Sequence, residues 1–101
     1  MNINSVRTTK KYLGNIRNIH LQTSEGQFHI SYDSFQIEHA NIKVNGKIVA
    51  VGLPEGWNQK LLVDFPIGSV QATIAVRFRW FRYRSFKLWI GDELVYSDPA
   101  E

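Results

Sequence analysis

The sequence predicts an all-β protein, a single antiparallel β-sandwich of about eight short strands, and three observations support this prediction. Apolar and polar residues alternate through most of the chain, as the two faces of a half-buried strand require. Turn-forming residues, such as Asn45-Gly46, separate the alternating runs. No long stretch has the periodicity of a capped helix. Short strands joined by tight turns are typical of a sandwich or of a closed barrel.

The composition indicates one domain with a single core. The chain has 101 residues, of which 44 % are hydrophobic and 13 % aromatic. It contains no cysteine, which excludes disulfide bonds and thiolate metal ligands within it. No apolar run approaches the roughly 18 residues of a membrane span, and the N-terminus lacks the apolar segment of a signal peptide, so we expect a cytoplasmic protein.

The expected domain occupies nearly the whole chain. Residues 1–11 are polar and are expected to form a flexible N-terminal arm or an edge strand. Residues 12–97 are expected to form the β-sandwich. Residues 98–101 form the predicted C-terminal tail.

Two hairpins are predicted in the first half of the chain. The first joins residues 16–22 to residues 28–32 through a turn at Ser24-Glu25-Gly26. The apolar positions then change from odd to even numbers near Glu38-His39, which predicts a bulge or a corner. Asn45-Gly46 predicts a type I′ turn, because both central positions need a positive φ. The expected register sets Val44 opposite Lys47 and Ile42 opposite Val49, with Val51 on the inner face beside Ala40.

A long hairpin organises the second half of the chain. Its two strands are expected to flank an aromatic and basic tip at residues 81–85, and a short last strand follows Gly91-Asp92. The expected inward residues are Leu61, Val63 and Phe65 before the hairpin, Val70, Ala72, Ile74, Val76, Phe78 and Trp80 on its first strand, and Phe86, Leu88 and Ile90 on its second.

The positive charge of the protein is concentrated on this hairpin. The net charge is +3, yet five bases and no acid lie between Val76 and Ile90, which leaves seven bases and nine acids elsewhere. The predicted binding surface is the hairpin tip and its outward face. It consists of Arg77, Arg79, Phe81, Arg82, Tyr83, Arg84, Lys87 and Trp89.

These residue types are suited to binding another macromolecule. Arginine forms charge-assisted hydrogen bonds to carboxylates or phosphates, and the aromatic rings supply contact area. The leading interpretation is a protein-binding surface, since interfaces favour Trp, Tyr and Arg. The alternative is single-stranded nucleic-acid binding, in which rings stack on bases. The alternation is also explained if the arginines have no binding role and simply form the solvated face of a half-buried strand.

The sequence shows no catalytic constellation, and we expect neither an enzyme nor a bound cofactor or metal. His20 and His29 could be cross-strand neighbours in one register, but no third metal ligand is evident at a sensible spacing. Ser31, Asp33 and His29 include the residue types of a hydrolytic triad, which is recognised by geometry rather than by residue type. The glycines match no phosphate-binding spacing.

Several segments together resemble the Fas apoptotic inhibitory molecule family. They are Ile19–Tyr32, Ile42–Val49, Phe65–Gly68 with Ala72–Val76, and Tyr83–Leu94. The resemblance implies an eight-stranded β-sandwich that lacks catalytic residues and acts through protein contacts, in a family linked to protection against cell death and protein aggregation. The chain departs from the family pattern at Ile19, where a tryptophan is expected, and in its arginine-rich hairpin.

Together these observations predict a non-enzymatic interaction domain whose partner is another protein. A homodimer through an exposed edge strand is compatible with such a fold. A third possibility is a barrel that binds a small ligand. An apolar cavity inside the sheets, in place of a filled core, would distinguish it from an interaction domain.

Overall fold

Nine antiparallel strands form two sheets in the part of the chain that the structure describes. This computed structural model describes residues 1–12, 15–34, 40–52, 60–79 and 82–99, and for residues 78, 79, 82 and 83 it describes the backbone. The first sheet contains β1 (Ile3–Lys11), β2 (Ile16–Thr23), β3 (Gly26–Asp33), β4 (Ala40–Val44) and β5 (Lys47–Gly52). The second contains β6 (Lys60–Ile67), β7 (Val70–Arg79), β8 (Arg82–Ile90) and β9 (Glu93–Asp98). Within each sheet, strands that follow one another in the chain are hydrogen-bonded neighbours.

The inner faces of the two sheets form one hydrophobic core, which confirms the predicted all-β sandwich. β6 shows why: Leu61, Val63 and Phe65 are buried, whereas the residues between them are exposed. The remaining buried apolar residues are Ile19, Leu21, Ile30, Tyr32, Ala40, Ile42, Ile67, Ala72, Ile74, Val76, Phe86, Leu88 and Ile90. None of the described ranges contains a helix long and apolar enough to cross a membrane.

The first hairpin has the predicted form. β2 and β3 pair antiparallel with Ile19 opposite Ile30, and Gly26 at the turn has a φ of 119°. Of the two alternatives for residues 1–11, the structure has the edge strand rather than a loose arm. Lys10, for example, lies opposite Arg17 in the pairing of β1 with β2. The first sheet therefore begins at Ile3.

The second hairpin has the predicted turn but not the predicted register. Asn45 and Gly46 have φ values of 52° and 85°, and Val44 lies opposite Lys47, as expected. The predicted pairing of Ile42 with Val49 was wrong, and so was the prediction that Val51 lies on the inner face. A register shift between Ile42 and Lys43 sets Ile42 opposite Ala50, Asn41 opposite Val51 and Ala40 opposite Gly52. The extra residue on β5 moves the following side chains to the opposite face of the strand, so the side chain of Val51 is 52 % exposed.

The predicted corner at Glu38-His39 lies outside the described residues, as does Trp57.

Gly52 ends β5 where the two sheets approach closely. A Cβ atom there would lie 2.6 Å from Cδ1 of Leu61 and 2.9 Å from Cγ2 of Val63. Glycine therefore permits the first sheet to pack against β6 at this point.

A buried arginine joins the sheets at the opposite side of the core. Arg17 on β2 has a side chain that is 5 % exposed, and its Nη1 donates to Oδ2 of Asp98 at 2.8 Å and to the hydroxyl of Tyr96 at 3.3 Å. Its guanidinium carbon lies 4.6 Å from the ring centroid of Phe86. Lys10 on β1 donates to the same carboxylate oxygen at 2.8 Å. Asp98, Tyr96 and Phe86 all belong to the second sheet, so these contacts connect the two layers.

A second connection lies at the turns. The Glu25 carboxylate accepts hydrogen bonds from the backbone N of Ser69 at 3.0 Å and from its hydroxyl at 2.5 Å. These bonds from Ser69 hold the pKa of Glu25 below its ordinary value. The turn between β2 and β3 is therefore attached to the turn between β6 and β7.

Neighbouring leucines on β6 provide a direct test of the assigned facing. Leu61→Ala is expected to lower the free energy of unfolding by about 2–5 kcal/mol, because this side chain is buried and alanine leaves a cavity. Leu62→Ala is the matched control, expected to change it by less than about 0.5 kcal/mol because Leu62 is 69 % exposed. Urea denaturation of both variants measures the difference. Equal losses would contradict the facing.

Removing the carboxylate that faces Arg17 should also weaken the fold. Asp98→Asn is expected to cost about 1–3 kcal/mol, because a buried guanidinium loses its charged acceptor. Lys10→Gln, the control at the exposed partner, should cost less than about 1 kcal/mol. Hydrogen bonds from Lys10 and Arg17 hold the pKa of Asp98 below its ordinary value of 3.8.

The sign of the pH dependence follows from that lowered pKa. The stabilisation by Asp98 is complete well above pH 3.8 and is lost as the pH falls through the depressed pKa of the folded state. Denaturation measured between pH 7 and pH 2 should therefore show the difference between the native protein and Asp98→Asn shrinking with acidification. A difference that grows with acidification would contradict the ion pair.

Candidate functional site

The outer face of the second sheet carries the outward residues of the predicted binding hairpin. Because Ala72, Ile74 and Val76 of β7 are buried in the core, the residues between them face outward. The register joins these outward residues into three cross-strand rows. The rows are Lys60, Arg77 and Ser85; Leu62, Ala75, Lys87 and Ser97; and Asp64, Thr73, Trp89 and Leu94.

Four of the predicted binding residues have described side chains. Arg77 and Arg84 are exposed, and Lys87 and Trp89 are half-buried. The backbone register sets Arg79 opposite Arg82 and Phe78 opposite Tyr83. Phe81 lies outside the described residues, as does Trp80. The structure therefore brings Arg77, Arg84, Lys87 and Trp89 to one region of the sheet.

The predicted tip differs from the observed hairpin. β8 begins at Arg82, so residues 82–85 belong to a strand and not to a long loop. A register shift between Arg77 and Phe78 leaves Arg84 as the extra residue on β8, between Tyr83 and Ser85. Both residues of such a bulge lie opposite one partner, which here is Arg77. The bulge thus explains how two arginines are exposed at the same level of the sheet.

The sequence prediction missed an apolar component of this surface. Leu62 is 69 % exposed and lies opposite Ala75, and Trp89 lies opposite Leu94 in the adjacent row. Alternation could have found Leu62, because it lies between the inward residues Leu61 and Val63. We call this surface the basic face, defined by Lys60, Leu62, Ala75, Arg77, Arg84, Lys87, Trp89 and Leu94.

Bases outnumber acids in the three rows and the bulge. Four bases belong to the basic face, Lys60, Arg77, Arg84 and Lys87, whereas Asp64 is the acid of these rows. The Asp64 Oδ1 atom accepts a hydrogen bond from the Thr73 hydroxyl at 2.6 Å. A surface that combines exposed apolar side chains with bases can bind carboxylates and apolar side chains at the same time.

His20 and His29 lie on the outer face of the first sheet, at a distance in the fold from the basic face. His20 lies directly opposite His29, so the structure has the one register that makes them cross-strand neighbours, and the two rings stack with centroids 4.3 Å apart. No group of three or more potential metal-binding side chains occurs among the described residues. The His29 Nε2 atom is hydrogen-bonded to Asn18 Oδ1 at 2.8 Å.

Comparison with protein-family models, with curated proteins and with solved structures finds no match to this chain. The resemblance of its segments to the Fas apoptotic inhibitory molecule family therefore stays a prediction.

Proposed function

We propose that this protein is a non-enzymatic interaction domain that binds an acidic segment of another protein through the basic face. One observation carries this proposal: the exposed Leu62, on the outer face of the second sheet, lies in the row next to Lys60 and Arg77. A partner that covers this side chain, which is 69 % exposed, would remove apolar surface from water and thereby favour binding.

The residue types on the basic face match those that carry interface energy. Tryptophan and arginine are enriched among the residues whose truncation most weakens protein complexes, and here Trp89 and Arg77 lie on adjacent strands. Exposed bases such as Arg84 accelerate the encounter with an acidic partner more than they add to final affinity. The resemblance to the Fas apoptotic inhibitory molecule family also supports action through protein contacts.

Single-stranded nucleic acid is the second candidate, and the feature that favours it is the ring of Trp89 beside basic side chains. Base stacking needs an open ring face, whereas Trp89 is half-buried within the sheet. The phosphates of a nucleic acid would also gain no favourable contact from the apolar side chain of Leu62. The exposed Leu62 of the basic face therefore favours a protein partner, and the two classes of partner differ in how steeply affinity falls with salt.

The direct test uses labelled peptides and nucleic acid of equal negative charge. The first peptide has glutamate alternating with leucine, and the second has serine in place of leucine. The expected order of affinity is the glutamate-leucine peptide, then the serine peptide, then single-stranded DNA or RNA. Arg77/Arg84→Ser should weaken the glutamate-leucine peptide about tenfold, and Leu62→Ser about fivefold, measured by fluorescence anisotropy.

The control variant is Lys11/Lys47→Ser, which removes two exposed bases from the first sheet and should leave affinity unchanged. Tighter binding of single-stranded DNA than of the glutamate-leucine peptide, with a steep salt dependence, would contradict the proposal and assign the basic face to nucleic acid. Equal losses in the control and in Arg77/Arg84→Ser would also contradict it, because binding would then follow total charge.

A further inference from the structure

A polar groove crosses the outer face of the first sheet, on the other side of the sandwich from the basic face. Its volume is about 360 Å³, and residues of β1, β2, β3 and the turn between β4 and β5 line it. Its polar lining includes Arg7, His20, Gln22, Gln27, His29 and Asn45. The proposed protein-binding function makes no use of them.

The register places three basic side chains in one row of this groove. Arg7 on β1 lies opposite His20 on β2, and His20 lies opposite His29 on β3. The two imidazole rings are parallel to within 6°, with centroids 4.3 Å apart. Directly opposed residues on neighbouring strands have Cβ atoms about 5 Å apart, so all three side chains can reach one small ligand.

Hydrogen bonds define the donors that the row offers. Asn18 Oδ1 is an acceptor, so its 2.8 Å contact with His29 Nε2 places a proton on that nitrogen. Asn45 Oδ1 accepts from the backbone N of His29 at 2.8 Å, which attaches the turn to β3 and leaves the amide hydrogens of Asn45 for other acceptors.

The charges around the imidazoles are predominantly positive. Arg7 faces His20 from β1, and Lys43 on β4 lies opposite Ser31, in the next row beyond His29. The acid on the same face of β3 is Asp33, which lies opposite Ile16 two rows further along. Partial burial, His29 and Arg7 each lower the pKa of His20. The row therefore holds positive charge that no carboxylate in the same or the next row neutralises among the described residues.

We propose that this groove binds a phosphate-class oxyanion, either free phosphate or the phosphate group of a monoester. Arg7 supplies a fork of donors, His20 supplies a ring N–H group, and the amides of Gln22 and Gln27 lie in the adjoining row. A tetrahedral dianion has acceptor atoms in several directions, which suits donors that come from three strands. A monocarboxylate can use fewer of them.

Sulfate is the first probe, because its charge is constant over the accessible pH range and changes in affinity report the protein alone. Backbone NMR titrations at pH 8.0 and pH 5.5, at constant ionic strength, should give saturable shifts confined to β1, β2, β3 and the turn after β4. The affinity for sulfate should be severalfold higher at pH 5.5 than at pH 8.0, because His20 gains charge as the pH falls through its lowered pKa.

Variants separate this site from general charge attraction. Arg7→Gln should weaken sulfate about tenfold, and His20→Gln should remove most of the pH dependence. Arg77→Gln on the basic face is the matched control and should change neither. Arg7→Lys keeps the charge but loses the fork, and it should give an intermediate affinity while retaining the native spectrum.

Inorganic phosphate and phenyl phosphate at pH 7 then distinguish the two sources of the anion. Tighter binding of phenyl phosphate assigns the groove to a monoester, and equal binding assigns it to free phosphate. The proposal is overturned by shifts spread over both sheets, by an affinity for sulfate that does not change with pH, or by equal losses in Arg7→Gln and Arg77→Gln. None of these results bears on peptide binding at the basic face, which is tested separately.

Discussion

The alignment of the two sheets depends on a cation buried between them. A guanidinium removed from water is stable only when its charge and its donors are matched. For Arg17 on β2, the match comes from the carboxylate of Asp98, the hydroxyl of Tyr96 and the ring of Phe86, all on the second sheet. These contacts require the native alignment of the layers. The apolar core supplies most of the stabilisation, whereas Arg17 favours one arrangement of the sheets over others.

This arrangement leaves the two outer faces free to differ. Each sheet is built from strands that are neighbours in sequence, so a change to the outward residues of one sheet leaves the other sheet's hydrogen bonding intact. The outer face of the second sheet combines exposed Leu62 with bases, and suits a partner that has both apolar and acidic groups. The outer face of the first sheet has Arg7, His20 and His29 in one row, and suits a small anion. One small fold can therefore present two chemically distinct surfaces.

Local alternation was enough to predict the core, because the two-residue period of a strand places residues such as Leu61 and Ile74 inward without knowledge of their partners. It could not predict the bulges, whose positions depend on packing between strands. One bulge exposed Val51, and another brought Arg84 beside Arg77. Arg17 was also missed, although it has the same parity as the buried Ile19. Its charge argued against burial, and its acceptor Asp98 lies 81 positions away in the sequence.

The most direct test of the proposed function is to locate a bound peptide on the folded protein. Backbone NMR spectra recorded during titration with the glutamate-leucine peptide would show which sheet it contacts. The proposed function predicts shifts in the outward residues of β6, β7 and β8, including Leu62, Arg77 and Trp89, and none in the outward row of β1, β2 and β3. Shifts centred on the first sheet, or no saturable shifts at low salt, would contradict the assignment of the basic face as a protein-binding surface.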